Sequence, residues 1–201
     1  MITAAALLNI FRGTEGACRM HTLRSGETNR KSNVNNIDKR MQTFVTYRGN
    51  DILEYKKIVD VLGRKDAPVS LAKFQELKYN DVEKYKNLVD RAYIQNNFNN
   101  GIWLDKVNPE KQARHIQLTV EEGKSYFFDD VDIESLYNKY KMTGTIRKLR
   151  NGSKGSDEKI DLFEDKPIGV DIFTSKPVNA MTIKYSKTGA HLIPTYYERE
   201  N

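Results

Sequence analysis

The chain has 201 residues, of which 38% are hydrophobic and 30% are charged, a balance typical of a soluble protein with a modest core. That length allows one domain with an appendage, or two small domains. A membrane-spanning helix needs about 18 uncharged apolar residues in a row, and the sequence has no such run. The apolar start, Ile2 to Phe11, lacks a basic region ahead of it, which argues against a secretory signal.

The net charge of +6 is unevenly distributed along the chain. Residues 1–100 hold 17 Lys and Arg against 11 Asp and Glu, whereas residues 101–201 hold 16 of each. The positive excess is therefore confined to the first half, which can bind RNA or anionic surfaces nonspecifically. The overall charge says little about what the second half binds.

The single cysteine, Cys18, excludes an intramolecular disulfide and fits a reducing compartment. Cys18 and His21 form one C-x-x-H pair, and no second pair follows it. A structural zinc site needs about four ligands. We therefore expect neither a bound metal nor another cofactor.

Composition and periodicity divide the chain into three segments. Residues 1–43 are predicted to be a disordered basic start or linker, because they contain a long stretch with few large apolar groups. Residues 44–101 are predicted to be a helical segment of three short amphipathic helices. The first should end at Gly63, Ser70 should cap the second, and Asn80 or Asp81 should cap the third.

Residues 107–197 are predicted to form an α+β domain. A short helix should carry Ile133 to Tyr140, after which the apolar spacing changes to two, the period of a strand. The connections between strands are short turns, including one at Ser175 to Pro177, so neighbouring strands should be antiparallel. The expected fold is N-terminal short helices followed by a helix packed on a four- to five-stranded antiparallel sheet. The predicted strands are Thr145 to Leu149, Ile160 to Phe163, Ile168 to Phe173, Met181 to Ser186 and His191 to Tyr196.

The last two predicted strands carry a polar face. Alternation in the first of them places Thr182, Lys184 and Ser186 on the face opposite the apolar side chains. The next strand brings His191 and Thr195 to a single face. If the two strands pair as a hairpin, His191 can lie beside Ser186 or Lys184. The alternative is a solvated sheet face with a surface histidine.

A second polar cluster precedes the helix of the α+β domain. It consists of Lys111, Arg114 and His115, followed by Lys124 and Ser125. Cleavage of RNA through its own 2′-hydroxyl needs a base, an acid and cations that stabilise charge on the phosphate. Histidine suits both proton transfers because its pKa of about 6.5 is close to neutrality. The alternative for this cluster is an exposed capping turn.

Five motifs occur in order in this half of the chain. They are KQARHI (Lys111 to Ile116), GKSYF (Gly123 to Phe127), TGT (Thr143 to Thr145), IGV (Ile168 to Val170) and YSKTGAHLIP (Tyr185 to Pro194). The series resembles a known family, the bacterial polymorphic toxin type 50 domain, over residues 107–197, and its last motif is the most specific. That domain occurs at the C-terminus of phage and prophage minor head (MuF-like) proteins, and it is assigned to the barnase, EndoU, colicin and RelE-like class of ribonuclease folds.

The resemblance implies that two histidines act as acid and base, with neighbouring cations and hydroxyls holding the phosphate. The family pattern has a histidine where this chain has Lys184, which would restrict Lys184 to acting as a charge. The catalytic residues predicted on this basis are His115, His191, Ser186 and Lys187. The predicted substrate-binding residues are Lys111, Arg114, Lys124, Thr145, Lys184 and Thr195.

The leading functional hypothesis is a metal-independent endoribonuclease toxin domain. The alternative is a catalytically inactive phage minor head, structural or nucleic-acid-binding protein, and an ADP-ribosyltransferase toxin is a third hypothesis. The first hypothesis implies an RNA substrate and an immunity protein, and the second implies phage capsid or portal proteins as partners. Neither involves a membrane. The expected location is the bacterial cytoplasm or the phage virion, with delivery into a target cell as an extension of the first hypothesis.

Overall fold

The structure is a computed structural model that describes residues 49–163 and 166–197. The predicted basic start at residues 1–43, with its Cys18–His21 pair, lies outside the described residues. The described helices are α1 (residues 49–62), α2 (Leu71–Asn80), α3 (Val82–Asn99), α4 (Pro109–Ala113) and α5 (Ile133–Tyr140). The described strands are β1 (Tyr126–Phe127), β2 (Thr145–Lys148), β3 (Lys154–Asp161), β4 (Gly169–Asp171), β5 (Lys176–Val178), β6 (Ala180–Lys184) and β7 (His191–Pro194).

The predicted ends of the first three helices are confirmed. Gly63 follows α1 with a φ of +77°, a conformation that glycine adopts without strain. Ser70 caps α2 by accepting a hydrogen bond from the Lys73 amide, and Asp81, rather than Asn80, caps α3 by accepting one from the Lys84 amide. Local side-chain chemistry thus determines where these helices begin and end.

The strands form two antiparallel sheets, which confirms the predicted α+β class. The larger sheet has the order β2-β3-β6-β7 and the smaller has the order β1-β4-β5. In the larger sheet β6 pairs with β3 on one side and with β7 on the other, and β7 is an edge strand. The last two strands therefore pair as a hairpin, which is the condition under which the sequence allows His191 to lie beside Ser186 or Lys184.

Two predicted boundaries in this part are wrong. β3 begins at Lys154 rather than at Ile160, because a central strand is formed here by the polar sequence KGSDEKID, which lacks the alternating apolar residues of a typical strand. The predicted turn at Ser175 to Pro177 instead contains the start of β5, an edge strand. Proline is tolerated there because an edge strand does not need every backbone N–H for pairing.

The main core joins the helical segment to the larger sheet. Met181 and Ile183 of β6, and Tyr185 directly after it, point to the same side, as alternation predicts. All three pack in one buried cluster with Ile94 of α3. The Trp103 ring stacks on the Tyr185 ring with centroids 5.0 Å apart. Because Ile94 belongs to this cluster, α3 contributes directly to the core that supports the sheet.

Two buried carboxylates complete this support. Asp90 of α3 accepts a hydrogen bond from the Ile146 amide of β2 at 2.9 Å and pairs with the Lys154 ammonium at 2.7 Å. Glu158 of β3 accepts from the backbone amide of Gly144 at 2.7 Å. A Cβ at Gly144 would lie 2.1 Å from the Lys159 carbonyl oxygen, so only glycine allows this approach of the turn to β3.

No helix in the described ranges has the length and hydropathy that crossing a membrane requires.

The pairing of Asp90 predicts a large effect of its removal. The Asp90→Ala variant leaves the Ile146 amide buried without an acceptor and Lys154 without its ion pair, so it should lower the free energy of unfolding by about 3 kcal/mol. Urea denaturation followed by tryptophan fluorescence measures this loss. The matched control is Asp66→Ala, because the Asp66 ion pair with Arg91 is exposed and should contribute less than about 1 kcal/mol. Equal losses in the two variants would contradict the assignment.

Candidate active site

Gln112 attaches α4 to the edge of the larger sheet. The Gln112 side chain is 5% exposed. Its Nε2 donates to the Leu192 carbonyl at 3.2 Å, and its Oε1 accepts from the Leu192 amide at 2.7 Å. Leu192 belongs to the edge strand β7, which has no strand neighbour on that side within the described residues. The Gln112 amide therefore occupies the place of a neighbouring strand and fixes α4 against β7.

The chain just before α4 follows the start of the same strand. The Ala190 amide donates to the Lys106 carbonyl at 2.8 Å, and the Asn108 amide donates to the Ala190 carbonyl at 2.7 Å. The preceding Gly189 has a φ of +112°, and a Cβ there would lie 2.9 Å from the Lys106 carbonyl oxygen. Glycine is therefore required in the YSKTGAHLIP motif for both conformation and space.

These attachments bring His115 and His191 together. His115 follows α4 by two residues and His191 is the first residue of β7. Their imidazole rings stack with centroids 5.6 Å apart and an angle of 15° between the ring planes. His115 is buried at 6% exposure, and His191 is partly buried. The two histidine-containing motifs, far apart in sequence, thus share one location, which we call the histidine pair.

The tautomer of His115 follows from its hydrogen bond. Its Nδ1 lies 2.8 Å from the carbonyl oxygen of Ser125. A carbonyl oxygen can only accept, so Nδ1 carries the proton and donates it to this bond. In the neutral ring the lone pair is then on Nε2. Burial lowers the pKa of His115, with the Lys124 and Lys184 charges acting in the same direction and the Ser125 bond opposing them.

His191 is also kept neutral by its surroundings. Burial is the main cause that lowers the pKa of His191 to about 4, and the neighbouring His115, Lys184 and Lys111 lower it further. The Nδ1 atom of His191 is buried and has no hydrogen-bond partner within the described part of the chain. Both rings of the pair are therefore neutral near pH 7, and each can accept a proton.

Lys111 and Ser186 form a second group of contacts beside the pair. The Lys111 ammonium donates to the hydroxyl oxygens of Ser186 and Thr188, both at 2.9 Å. The Ser186 hydroxyl in turn donates to the Gly189 carbonyl at 2.6 Å. Since its proton is already used in this bond, Ser186 is suited to orienting the Lys111 charge.

Lys184 occupies the centre of the polar face. It is the register partner of His191 on β7 and of Asp157 on β3, so a cation stands between an imidazole and a carboxylate across three strands. Of the two neighbours of His191 that the sequence left open, the structure selects Lys184. Thr195, the other residue predicted on this face, donates to the Thr182 hydroxyl at 3.0 Å.

A cleft of about 270 Å³ extends along this face from Lys184. Its walls combine cationic, hydroxyl, carboxylate and apolar groups. The lining residues are Ser125, Arg147, Asp157, Lys159, Asp171, Phe173, Thr182, Lys184, Ile193, Pro194 and Thr195.

The remaining predicted site residues are Arg114, Lys124, Lys187 and Thr145, and none of them belongs to the histidine pair or its Lys111–Ser186 contacts. Glu121 binds Lys124 at 2.7 Å and Arg114 at 3.2 Å, and the hydrogen bond from Lys124 is the main cause that lowers the Glu121 pKa. Lys187 is exposed in the turn between β6 and β7. Thr145 begins β2, the sheet edge opposite β7, so the structure does not place it beside the histidines.

Sequence reasoning missed several residues of the site. Asp157 and Lys159 lie on the part of β3 that the apolar pattern does not reveal. Ser125 belongs to the predicted polar cluster and Gln112 to the KQARHI motif, but the sequence assigns no role to either, because nothing in their residue type indicates that they are buried and hydrogen-bonded. In the described residues no group of three or more His, Cys, Asp or Glu side chains is placed to hold a metal ion.

Loss of the Gln112 amide should weaken the attachment of α4. The Gln112→Ala variant leaves the Leu192 amide and carbonyl without partners, and the expected loss is about 2 kcal/mol of unfolding free energy. Chemical denaturation measures it. Gln117→Ala is the matched control, because Gln117 is exposed. A loss no greater than that of the control would show that the amide does not hold α4.

Both histidines of the pair should have a pKa below the usual histidine value. The pKa of His191 should be about 4, and NMR of the ¹⁵N-labelled imidazoles measures it. Lys184→Gln should raise the pKa of His191 because it removes a neighbouring positive charge, whereas Lys65→Gln, at a distant exposed turn, should leave it unchanged. Since the unfolded chain binds these protons at about pH 6.5, the domain should lose stability as the pH falls from there toward 4. A His191 pKa near 6.5 would contradict the buried, cation-flanked arrangement.

Residues 107–194 match the sequence model of a family described as Bacterial toxin 50. The matched range runs from just before α4 to the end of β7, so it contains both members of the histidine pair, Lys111, Lys184 and the whole of the larger sheet. The match supports a bacterial toxin domain over this part of the chain. No curated protein shows significant similarity to the chain.

Proposed function

We propose that this toxin domain is a metal-independent endoribonuclease. In the proposed reaction the 2′-hydroxyl of RNA attacks the adjacent phosphorus, the bond to the 5′-oxygen breaks, and the products are a 2′,3′-cyclic phosphate and a free 5′-hydroxyl. The attack requires a base for the 2′-hydroxyl proton and an acid for the departing oxygen. It also requires positive charge near the phosphate oxygens.

The observation that carries the proposal is the stacked histidine pair flanked by Lys184. With two imidazoles in contact, one can accept a proton as general base while the other donates a proton as general acid at the same site. A purely structural role would not require two neutral, titratable rings in contact beside a polar cleft. Neither ring lines the cleft itself, but Lys184 and Ser125, which flank the pair, do. Perturbed titratable groups beside a cleft are characteristic of functional sites.

His115 is suited to act as the base. Its Nδ1 proton is engaged with the Ser125 carbonyl, which leaves the Nε2 lone pair to accept the 2′-hydroxyl proton. Burial keeps the ring neutral before the reaction, since it disfavours the charged form. The Ser125 bond also stabilises the ring once it becomes charged, because an imidazolium is the stronger donor.

His191 is suited to act as the acid once RNA is bound. In the free protein its pKa is lowered by burial and then by the neighbouring His115, Lys184 and Lys111. The phosphodiester brings a negative charge that offsets these cations, so its binding favours a proton on His191. His115 lowers the pKa of His191, which disfavours a proton on both rings at once. One proton on the pair suffices for the reaction, because the base gains a proton as the acid releases one.

Lys184 and Lys111 supply the positive charge. Lys184 lies opposite His191 in the register of β6 and β7, and the Lys111 ammonium is held by two hydroxyls. Both are close enough to affect the His191 pKa. A histidine in place of Lys184, as in the related toxin pattern, would supply this charge only when protonated, whereas lysine carries it throughout the neutral range.

A catalytically inactive phage structural or binding protein is the competing hypothesis, and the paired neutral imidazoles do not favour it. RNA is the proposed substrate. An immunity protein in the producing cell, phage capsid or portal partners, and delivery into a target cell remain predictions that the sequence motivates.

Purified protein should cleave RNA in the presence of EDTA and leave 2′,3′-cyclic phosphate ends, which end-specific phosphatase treatment and mass spectrometry identify. His115→Ala and His191→Ala should each reduce the cleavage rate by about 100- to 10,000-fold, the contribution of a positioned acid or base. The Lys65→Ala variant, which removes an exposed charge outside the matched range, should retain the wild-type rate. Circular dichroism of each variant checks that it is folded.

Two results would count against the proposal. A folded wild-type protein that leaves a broad range of RNAs intact would favour the inactive binding protein. Cleavage that EDTA abolishes would show that a metal ion, and not the histidine pair alone, performs the chemistry.

A further inference from the structure

An exposed aromatic ring stands at the edge of the cleft. Phe173 is 93% exposed and lies in the turn between β4 and β5, yet it lines the cleft that begins at Lys184. What distinguishes Phe173 from the other exposed hydrophobic residues is this position at the cleft, where its ring face is open to a bound ligand.

The turn that carries Phe173 is rigidly held. Buried Asp171 accepts hydrogen bonds from the amide and the hydroxyl of Thr174, both at 3.0 Å. The Ile172 amide donates to the Ser125 hydroxyl oxygen at 3.0 Å. The Phe173 backbone is therefore fixed from both sides, and the ring can be presented at little cost in conformational entropy.

Ser125 links this turn to the histidine pair. Its hydroxyl holds the Ile172 amide, and its carbonyl accepts the Nδ1 proton of His115. Ser125 thus sets the position of the Phe173 ring relative to His115, the proposed catalytic base. Such a connection keeps a fixed distance between the place where a substrate reacts and the place where another part of it is held.

The remaining chemistry of the cleft fits a nucleotide. Three cations, Lys159, Lys184 and Arg147, line the cleft together with the carboxylates of Asp157 and Asp171. Arg147 lies 3.6 Å from Asp157, but 66% of its side chain is exposed to a ligand. Thr182 and Thr195 provide hydroxyls on the same face. The cleft volume of about 270 Å³ is slightly below the roughly 300–1,000 Å³ of drug-sized pockets, so the cleft suits a small ligand group such as a nucleobase rather than a folded protein segment.

We propose that Phe173 is the stacking platform for a nucleobase next to the scissile phosphate, which makes single-stranded RNA the substrate class. This inference rests on the proposed ribonuclease function. Bases stack on aromatic side chains when they are unpaired and splayed out of a strand. In a duplex both faces of each base are already covered by neighbouring bases, so an exposed ring on a rigid turn has no base face to contact.

Binding and cleavage are tested separately, so that this inference and the ribonuclease proposal can fail independently. The binding probe is a fluorescein-labelled single-stranded RNA with 2′-O-methyl groups, which cannot undergo 2′-hydroxyl attack. The same strand annealed to its complement is the duplex probe. Fluorescence anisotropy compares the wild-type protein with Phe173→Ala, with Phe173→Tyr and with the control Phe163→Ala, since Phe163 is 83% exposed but does not line the cleft.

The Phe173→Ala variant should bind the single strand about tenfold more weakly, and Phe173→Tyr, which keeps the ring, should bind it within about twofold of the wild type. Phe163→Ala should match the wild type, and the duplex should bind weakly to every protein. With cleavable RNA, Phe173→Ala should raise KM more than it lowers kcat, because the ring holds the base and takes no part in proton transfer.

Two results would overturn the inference. One is equal binding of the single strand by wild type and Phe173→Ala, which would point to another partner, such as a protein, for the exposed ring. The other is duplex binding as tight as that of the single strand. Weakened binding by Phe173→Ala in a protein that cuts no RNA would support the platform while contradicting the ribonuclease proposal. Normal cleavage with unchanged binding would do the reverse.

Discussion

The pair of hydrogen bonds between the Gln112 amide and the backbone of Leu192 is the constraint on which the site depends. β7 is the edge of its sheet, and an unpaired edge offers backbone groups that must be satisfied by something other than a strand. The Gln112 side chain supplies hydrogen-bond partners for the N–H and C=O groups of Leu192, and it thereby holds the short helix α4 against β7. His115 follows the helix and His191 precedes Leu192, so the same two bonds determine the distance between the two imidazoles.

The electrostatics of the site follow from that placement. Two imidazoles that are stacked, partly desolvated and flanked by Lys184 cannot both hold a proton, and burial keeps both neutral in the free domain. The positive charges that act on the pair are those of the lysines around it, chiefly Lys184 and Lys111. Asp157 is the register partner of Lys184 on the far side, and it partly balances the cation without contacting the pair.

Support for the site extends beyond the range that matches the toxin family. Asp90 of α3 bonds to the Ile146 amide, and Ile94 lies in the same core as the strands. Within the site, Ser125 connects the base candidate to the turn that carries Phe173. These contacts are made by buried polar groups, which specify one arrangement because any other leaves a donor or acceptor without a partner.

The sequence by itself determined the features that depend on neighbouring residues. Ser70 marks one helix start, Asn80 or Asp81 marks the next, the apolar residues of β6 identify its buried face, and the motifs around His115 and His191 indicate the toxin family. Local propensity and periodicity carry this information because they depend on residues a few positions apart. Only the tertiary structure decided that the two histidines stack, that Lys184 is the neighbour of His191, and that the polar segment KGSDEKID is a central strand. Those outcomes depend on polar side chains that are buried with partners distant in sequence, and a pattern that assigns polar residues to the surface cannot identify such partners.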